Sequence, residues 1–269
     1  MQSMSNLMDL VCDIDKHREY IRNTFEAPHI EYNLFDKDDI EWLEDYCYES
    51  TQNRRRNDNG TLFFSGGFDT IVTKFQRKLE QVLPGCTNSP DIDGNFFITP
   101  HQYGLHNDSI PRWRWEENGG KDGHYYPWRN ILIPLWQSPA HASSQIIFFK
   151  QRDLDWAKVY KHGSDEHVAT TYPVCRDYSE ISTFYNKHGE HMPWQDQPLE
   201  PEEFLLYLQE SPPKRYSGLE VETMMDWTPG SAFAFDSWQL HATNRGDPPW
   251  HQKSGLLLCF FKMIGSQYG

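Results

Sequence analysis

Cysteine is scarce in this chain. There are five, Cys12, Cys47, Cys86, Cys175 and Cys259, odd in number, scattered, and without a Cys-x-x-Cys pair. This excludes a disulfide-stapled scaffold and a cysteine-built zinc ribbon, and it reads as reduced thiols in a cytoplasmic protein. Basic charge is also short: 25 Lys and Arg stand against 39 Asp and Glu, a formal net charge of −14. A chain that repels polyanions on average is not built to grip nucleic acid, and the local exception, Arg54-Arg55-Arg56, reads as a solvated loop. No apolar run approaches the roughly 18 residues of a membrane helix. The longest, Gly255 to Phe261, is strand-length. A Gly-rich phosphate loop, a Gly-x-Ser-x-Gly elbow, an internal repeat and a basic-plus-apolar leader pattern are all missing, so neither phosphate cradling, serine hydrolysis nor export is expected.

What the chain has in quantity is aromatic anchors. Aromatics make up 15% of 269 residues, with ten Trp and sixteen Phe. That composition fits one globular domain with an ample core spanning 1–269. Residues 1–90 read as a helical N-terminal buttress. Ile40, Leu43 and Cys47 recur at helical spacing within Asp36 to Glu49. A second helix, capped by Asp69, places Val72, Phe75, Leu79 and Val82 on one face and stops at Pro84-Gly85. From residue 91 the pattern changes to short β-rich runs. These are Asn95 to His106, Asn130 to Trp136, Gln145 to Gln151, Trp156 to Tyr160, Ser231 to Phe235, Trp238 to Thr243 and Gly255 to Met263. Helices first and strands afterwards predict a mainly β fold with buttressing helices, a barrel or jelly roll. An insertion at about 161–220, rich in Tyr, His, Pro and Glu and with one helix near Pro201, reads as a lid.

Three ordered signals carry chemistry. In Leu105-His106-Asn107-Asp108-Ser109, residues two apart on a strand project to the same side, so His106 and Asp108 bring an imidazole and a carboxylate together. Far downstream, in Phe233-Ala234-Phe235-Asp236-Ser237-Trp238-Gln239-Leu240-His241, a second imidazole sits on another strand and can complete a two-His-one-carboxylate face. Such a face leaves metal positions open and points to non-haem Fe(II) and oxygen chemistry. Lys253 lies twelve residues after His241. It shares a strand face with Gly255, Leu257 and Cys259, where a poorly hydrated cation wants an anion.

Together these residues resemble the Fe(II)- and 2-oxoglutarate-dependent dioxygenases, over roughly Asn95 to Met263. The resemblance implies a double-stranded β-helix, the jelly-roll, cupin-like barrel. It implies Fe(II) held by His106, Asp108 and His241, with 2-oxoglutarate and O2 as cosubstrates released as succinate and CO2. It also implies hydroxylation of a C–H bond in a small-molecule or amino-acid-like substrate. Many members carry Arg where this chain has Lys253, and Arg245 and Lys150 are the other candidates for anchoring 2-oxoglutarate. Asp108 is retained where the family's halogenases have a small residue, so oxidation rather than halogenation is implied. Tyr103 and Asn130 are placed to touch the cosubstrate, or else serve packing and strand capping. Arg112, Arg114 and Trp115 follow the metal motif and either border the substrate or form a covering surface loop. His188-Gly189-Glu190-His191 lacks the spacing of a helical zinc motif. Two other classes remain open: a cupin-like metalloenzyme indifferent to 2-oxoglutarate, and a non-catalytic barrel used for binding.

Overall fold

The computed structural model describes residues 25–49, 53–56, 62–99, 106, 108, 125–152, 221–244 and 252–263. Ten strands and two α-helices lie within them: β1 (His29–Glu31), α1 (Lys37–Glu49), β2 (Asn53–Arg56), β3 (Leu62–Ser65), α2 (Phe68–Val82), β4 (Ile92–Thr99), β5 (Tyr125–Ser138), β6 (Gln145–Arg152), β7 (Val221–Asp226), β8 (Ala232–Asp236), β9 (Gln239–Thr243) and β10 (Gln252–Met263). All strand pairs are antiparallel. A seven-stranded sheet runs β1-β8-β5-β10-β4-β3-β2, and a three-stranded sheet runs β7-β6-β9. His106 adds an isolated bridge to His241 on the free side of β9. The chain from β4 onward passes between the sheets: large at β4, small at His106, large at β5, small at β6 and β7, large at β8, small at β9, large at β10. This alternation is the double-stranded β-helix, or jelly roll.

Side-chain alternation explains the layers. On β5, β8 and β10, Leu132, Phe233, Phe235, Leu257 and Cys259 point between the sheets and meet Ile146, Phe148 and Met225 of the small sheet. Their neighbours Ile131, Ile133, Ala232, Ala234, Leu256, Leu258 and Phe260 point the other way, into the layer of α1 and α2. Strands apolar on both faces are central and covered, as Ile131-Leu132-Ile133 predicts. The helices bury Leu43, Cys47, Ile71, Val72, Phe75, Leu79 and Val82 against that face. Full burial of each large aliphatic contributes about 1.5–3 kcal/mol. Asp36 and Asp39 each accept the other's backbone N–H, a reciprocal cap that starts α1 where the acidic residues predicted.

Several expectations are corrected. The N-terminal third is not only helical: it supplies β1, β2 and β3, the edges of the large sheet. Arg54 to Arg56 lie on the edge strand β2, not in a loop, and an edge is where charged residues are tolerated. Gly67, at φ 75°, takes the cap position of α2, and Asp69 falls within the first turn. β4 ends at Thr99 rather than at His106, and β5 begins five residues before Asn130. β7 was not anticipated. Because β6 and β7 pair with each other, the segment from 153 to 220 connects two adjacent strands of the small sheet. Trp156 to Tyr160, the helix near Pro201 and His188 to His191 lie outside the described residues. No helix among the described residues is long and apolar enough to cross a membrane. Cys47, Cys86 and Cys259 are buried and form no disulfide, and burial pushes the first two thiols up to about 12, so they stay protonated.

Candidate metal centre

His106 and His241 are joined first through the backbone. The His106 N–H donates to the His241 carbonyl at 3.0 Å and the His241 N–H returns at 2.8 Å. Directly opposed residues of an antiparallel pair project to the same face, and the two imidazole centroids lie 4.3 Å apart. Asp108, two residues beyond the bridge, turns its carboxylate toward both rings. Oδ2 is 3.2 Å from His241 Nε2, and Oδ1 is 3.7 Å from His106 Nε2. One ligand atom from each residue lies within 4.8 Å of the others, the only such group among the described residues.

The second nitrogen of His241 fixes its ring. Nδ1 lies 3.0 Å from the Gln239 carbonyl, which accepts only from a proton donor, so Nδ1 carries a hydrogen and Nε2 is the ring atom turned toward Asp108. Phe148 and Phe235 pack against the same ring, with centroids 5.6 Å and 5.1 Å away. Burial pushes the Asp108 carboxyl up, but the charge and hydrogen bond of His241 and the charge of His106 outweigh it, and the group is held below its ordinary value. Two imidazoles and one carboxylate on one side, with open space on the other, are the donor set that suits a divalent first-row metal such as iron.

That open space is a cavity of about 80 Å³. Phe97, Leu132, Ile146, Trp227 and Leu257 form its apolar wall, and Asn95 and Thr243 add two polar groups. Lys253 closes one side. It is 1% exposed, and Nζ has no hydrogen-bond partner among the described residues. Burial pushes its ammonium down to about 7. The ammonium sits over an aromatic ring: Nζ lies 4.6 Å from the Trp227 ring centroid. The strand register accounts for the placement, because Lys253 pairs with Thr99, Gly255 with Phe97 and Leu257 with Asn95, so all six residues face the cavity side.

His106, Asp108, His241 and Lys253 therefore come together. Asn130 does not line the cavity; it is buried within β5, where its side-chain carbonyl accepts the Ser237 hydroxyl at 2.8 Å. Lys150 is exposed on β6 and does not line the cavity either. Tyr103, Arg112, Arg114, Trp115 and Arg245 lie outside the described residues. Sequence reasoning missed Trp227, Asn95 and Thr243. Thr243 had a readable signal, since it stands two residues after His241 on the same strand.

No protein-family model and no curated protein sequence matches the chain. Solved structures similar in overall fold include the non-heme alpha ketoglutarate dependent carbocyclase SnoK from nogalamycin biosynthesis, at TM-score 0.49 and 8% identity over 93% of this chain and 85% of that one. The epimerase SnoN from the same biosynthesis gives 0.46 and 7% over 96% and 84%, and a Pseudomonas putida prolyl-4-hydroxylase gives 0.43 and 10% over 94% and 97%. At these identities and scores the likeness assigns no residue, and the chemistry follows from the side chains of the site.

Proposed function

We propose that this chain is an Fe(II)- and 2-oxoglutarate-dependent oxygenase that oxidises a C–H bond of a small-molecule or amino-acid-like substrate. The observation that carries the proposal is the pairing of a two-His-one-carboxylate face with a buried ammonium that has no hydrogen-bond partner among the described residues, in one cavity. A metal site alone fits many barrels. A cation buried beside it without a counter-ion is costly unless an anion arrives, and a 2-oxo dicarboxylate has one end suited to the metal and the other to Lys253. The cupin-like alternative gives Lys253 no task, so no separate observation favours it.

In this reading His106, Asp108 and His241 hold iron, with Nε2 as the ligand atom of His241. When bound, the iron supplies oxygen activation coupled to decarboxylation of 2-oxoglutarate to succinate and CO2. Lys253 pairs with the far carboxylate and fixes the orientation of the cosubstrate. Phe97, Leu132, Ile146 and Leu257 exclude water, and the Gln239 carbonyl keeps the His241 tautomer. Arg112, Arg114 and Trp115, beside the metal motif, are proposed to contact the substrate, with Tyr103 as a secondary candidate on the cosubstrate side. A small-molecule substrate is favoured over nucleic acid by the net charge of −14.

The test is iron-dependent formation of succinate from 2-oxoglutarate under air, combined with direct titration of Fe(II). Asp108→Ala and His241→Ala are expected to lose both metal binding and turnover. Full metal-dependent turnover in either variant would refute the assignment.

A further inference from the structure

Trp227 stands in the cavity wall without a role in metal binding. Its place is firmly built. Its backbone N–H donates to the Ser144 carbonyl at 2.7 Å, and its indole N–H donates to the Trp136 carbonyl at 3.3 Å. A glycine makes room for it: a Cβ at Gly255 would lie 2.8 Å from Trp227 Cη2 and 2.9 Å from Phe97 Cζ. The rim of the indole therefore packs on Gly255 of β10, beside Lys253, whose Nζ sits over the ring 4.6 Å from its centroid.

An ammonium has three N–H donors and no acceptor. A carboxylate in place of the indole would satisfy those donors and close the subsite to ligands. An aliphatic side chain would give the charge nothing. A π face attracts the cation through its quadrupole while leaving its donors unused. On the basis of the oxygenase reading above, we propose that Trp227 is a positioning residue for the anion subsite: its indole holds the Lys253 side chain in place and favours its charged form, with the N–H donors left for an incoming carboxylate.

A pH dependence accompanies this arrangement. With Lys253 pushed down to about 7 by burial, its amine is largely neutral above that pH in the ligand-free site, and a carboxylate that pairs with the ammonium draws a proton in. The titratable groups that share the cavity are His106, Asp108 and His241. The packed strands also carry Asp93 on β4, Arg129 on β5, and Glu222 and Asp226 on β7, none of which lines the cavity.

The experiment is anaerobic calorimetric titration of the Fe(II)-loaded full chain with 2-oxoglutarate and, separately, with 2-oxobutyrate, which has the same 2-oxo acid head and no far carboxylate. In wild type, 2-oxoglutarate binding is expected to weaken as pH rises above about 7, while 2-oxobutyrate binding does not follow that profile. Trp227→Leu is expected to weaken 2-oxoglutarate about tenfold just above neutrality, to move the weakening to lower pH, and to leave 2-oxobutyrate unchanged. Trp227→Phe, which keeps a ring, is expected to restore most of the affinity. Equal weakening of both ligands, or wild-type affinity in Trp227→Leu, would overturn the proposal and leave the oxygenase reading intact. An identical pH profile for the two ligands in wild type would also overturn it without any variant. Failure of iron-loaded wild type to bind 2-oxoglutarate at all would overturn both.

Discussion

Two cations are buried on adjacent strands of the large sheet, and they are treated in opposite ways. Arg129 on β5 is 3% exposed and Lys253 on β10 is 1% exposed. Arg129 is surrounded by partners. It pairs with the Glu26 carboxylate, approaches Asp236 at 3.7 Å, and donates to the Ala27 and Ala234 carbonyls at 3.2 Å and 3.3 Å. Asp236 in turn accepts the Glu26 N–H. This network ties the segment before β1 to the large sheet. Lys253, at the other end of the β5–β10 ladder and on its inner face, has a π face and, among the described residues, no paired anion. A buried charge with partners supports the fold, whereas a buried charge without them strains it and is explained by a ligand that supplies the missing carboxylate.

The largest effect that separates the two sites is expected from Arg129→Met. It leaves Asp236 buried without its cation and should destabilise the protein by about 3 kcal/mol or more in denaturant melts, while the folded fraction binds Fe(II) unchanged. A neutral result would break the contrast. Lys253→Met should act with the opposite sign, stabilising the ligand-free protein by about 1 kcal/mol or more as the desolvation cost disappears. It should also weaken 2-oxoglutarate binding by about 2 kcal/mol or more. The first part depends on pH in a defined direction. The folded ammonium titrates near 7 against an ordinary value of 10.5, so between those values the unfolded chain holds more protons and wild type gains stability as pH rises. The advantage of Lys253→Met should therefore shrink from about pH 7 toward pH 10; a gap that stays constant would show that Lys253 is not desolvated in the fold. Gly255→Ala comes next. Its methyl group must push Trp227 and Phe97 aside, at a cost of about 1 kcal/mol, and 2-oxoglutarate should bind more weakly as the indole leaves Lys253. The smallest effect is expected for Lys150→Ala, an exposed position: within about 0.5 kcal/mol in stability, with unchanged 2-oxoglutarate affinity. Loss of affinity there would move the anchor from Lys253 to Lys150.

The same contrast shows what a sequence exposes. Long periodic elements were readable: both helices, and β5, β6, β8, β9 and β10, whose apolar runs belong to covered central strands. Lys253 and His241 were readable because strand parity aligns them with recognisable neighbours. Short edge strands were not. β1 has three residues, and β2 is Asn-Arg-Arg-Arg, with no alternation to betray it. β7, Val-Glu-Thr-Met-Met-Asp, looks like the polar stretch before it, and it becomes a strand through pairing with β6. Trp227 follows that unrecognised strand, so nothing in the sequence placed it beside Lys253. The Arg129 network was hidden for a related reason, since it depends on Glu26 meeting Asp236, far apart in the chain.

The most direct test of the account is anaerobic addition of Fe(II) and then 2-oxoglutarate to the metal-free protein, following the weak visible charge-transfer band of the chelate. The account predicts a band in wild type, the same iron binding but a band appearing only at higher 2-oxoglutarate in Lys253→Met, and no iron binding in Asp108→Ala. Iron bound by wild type with no band at any 2-oxoglutarate concentration would contradict it.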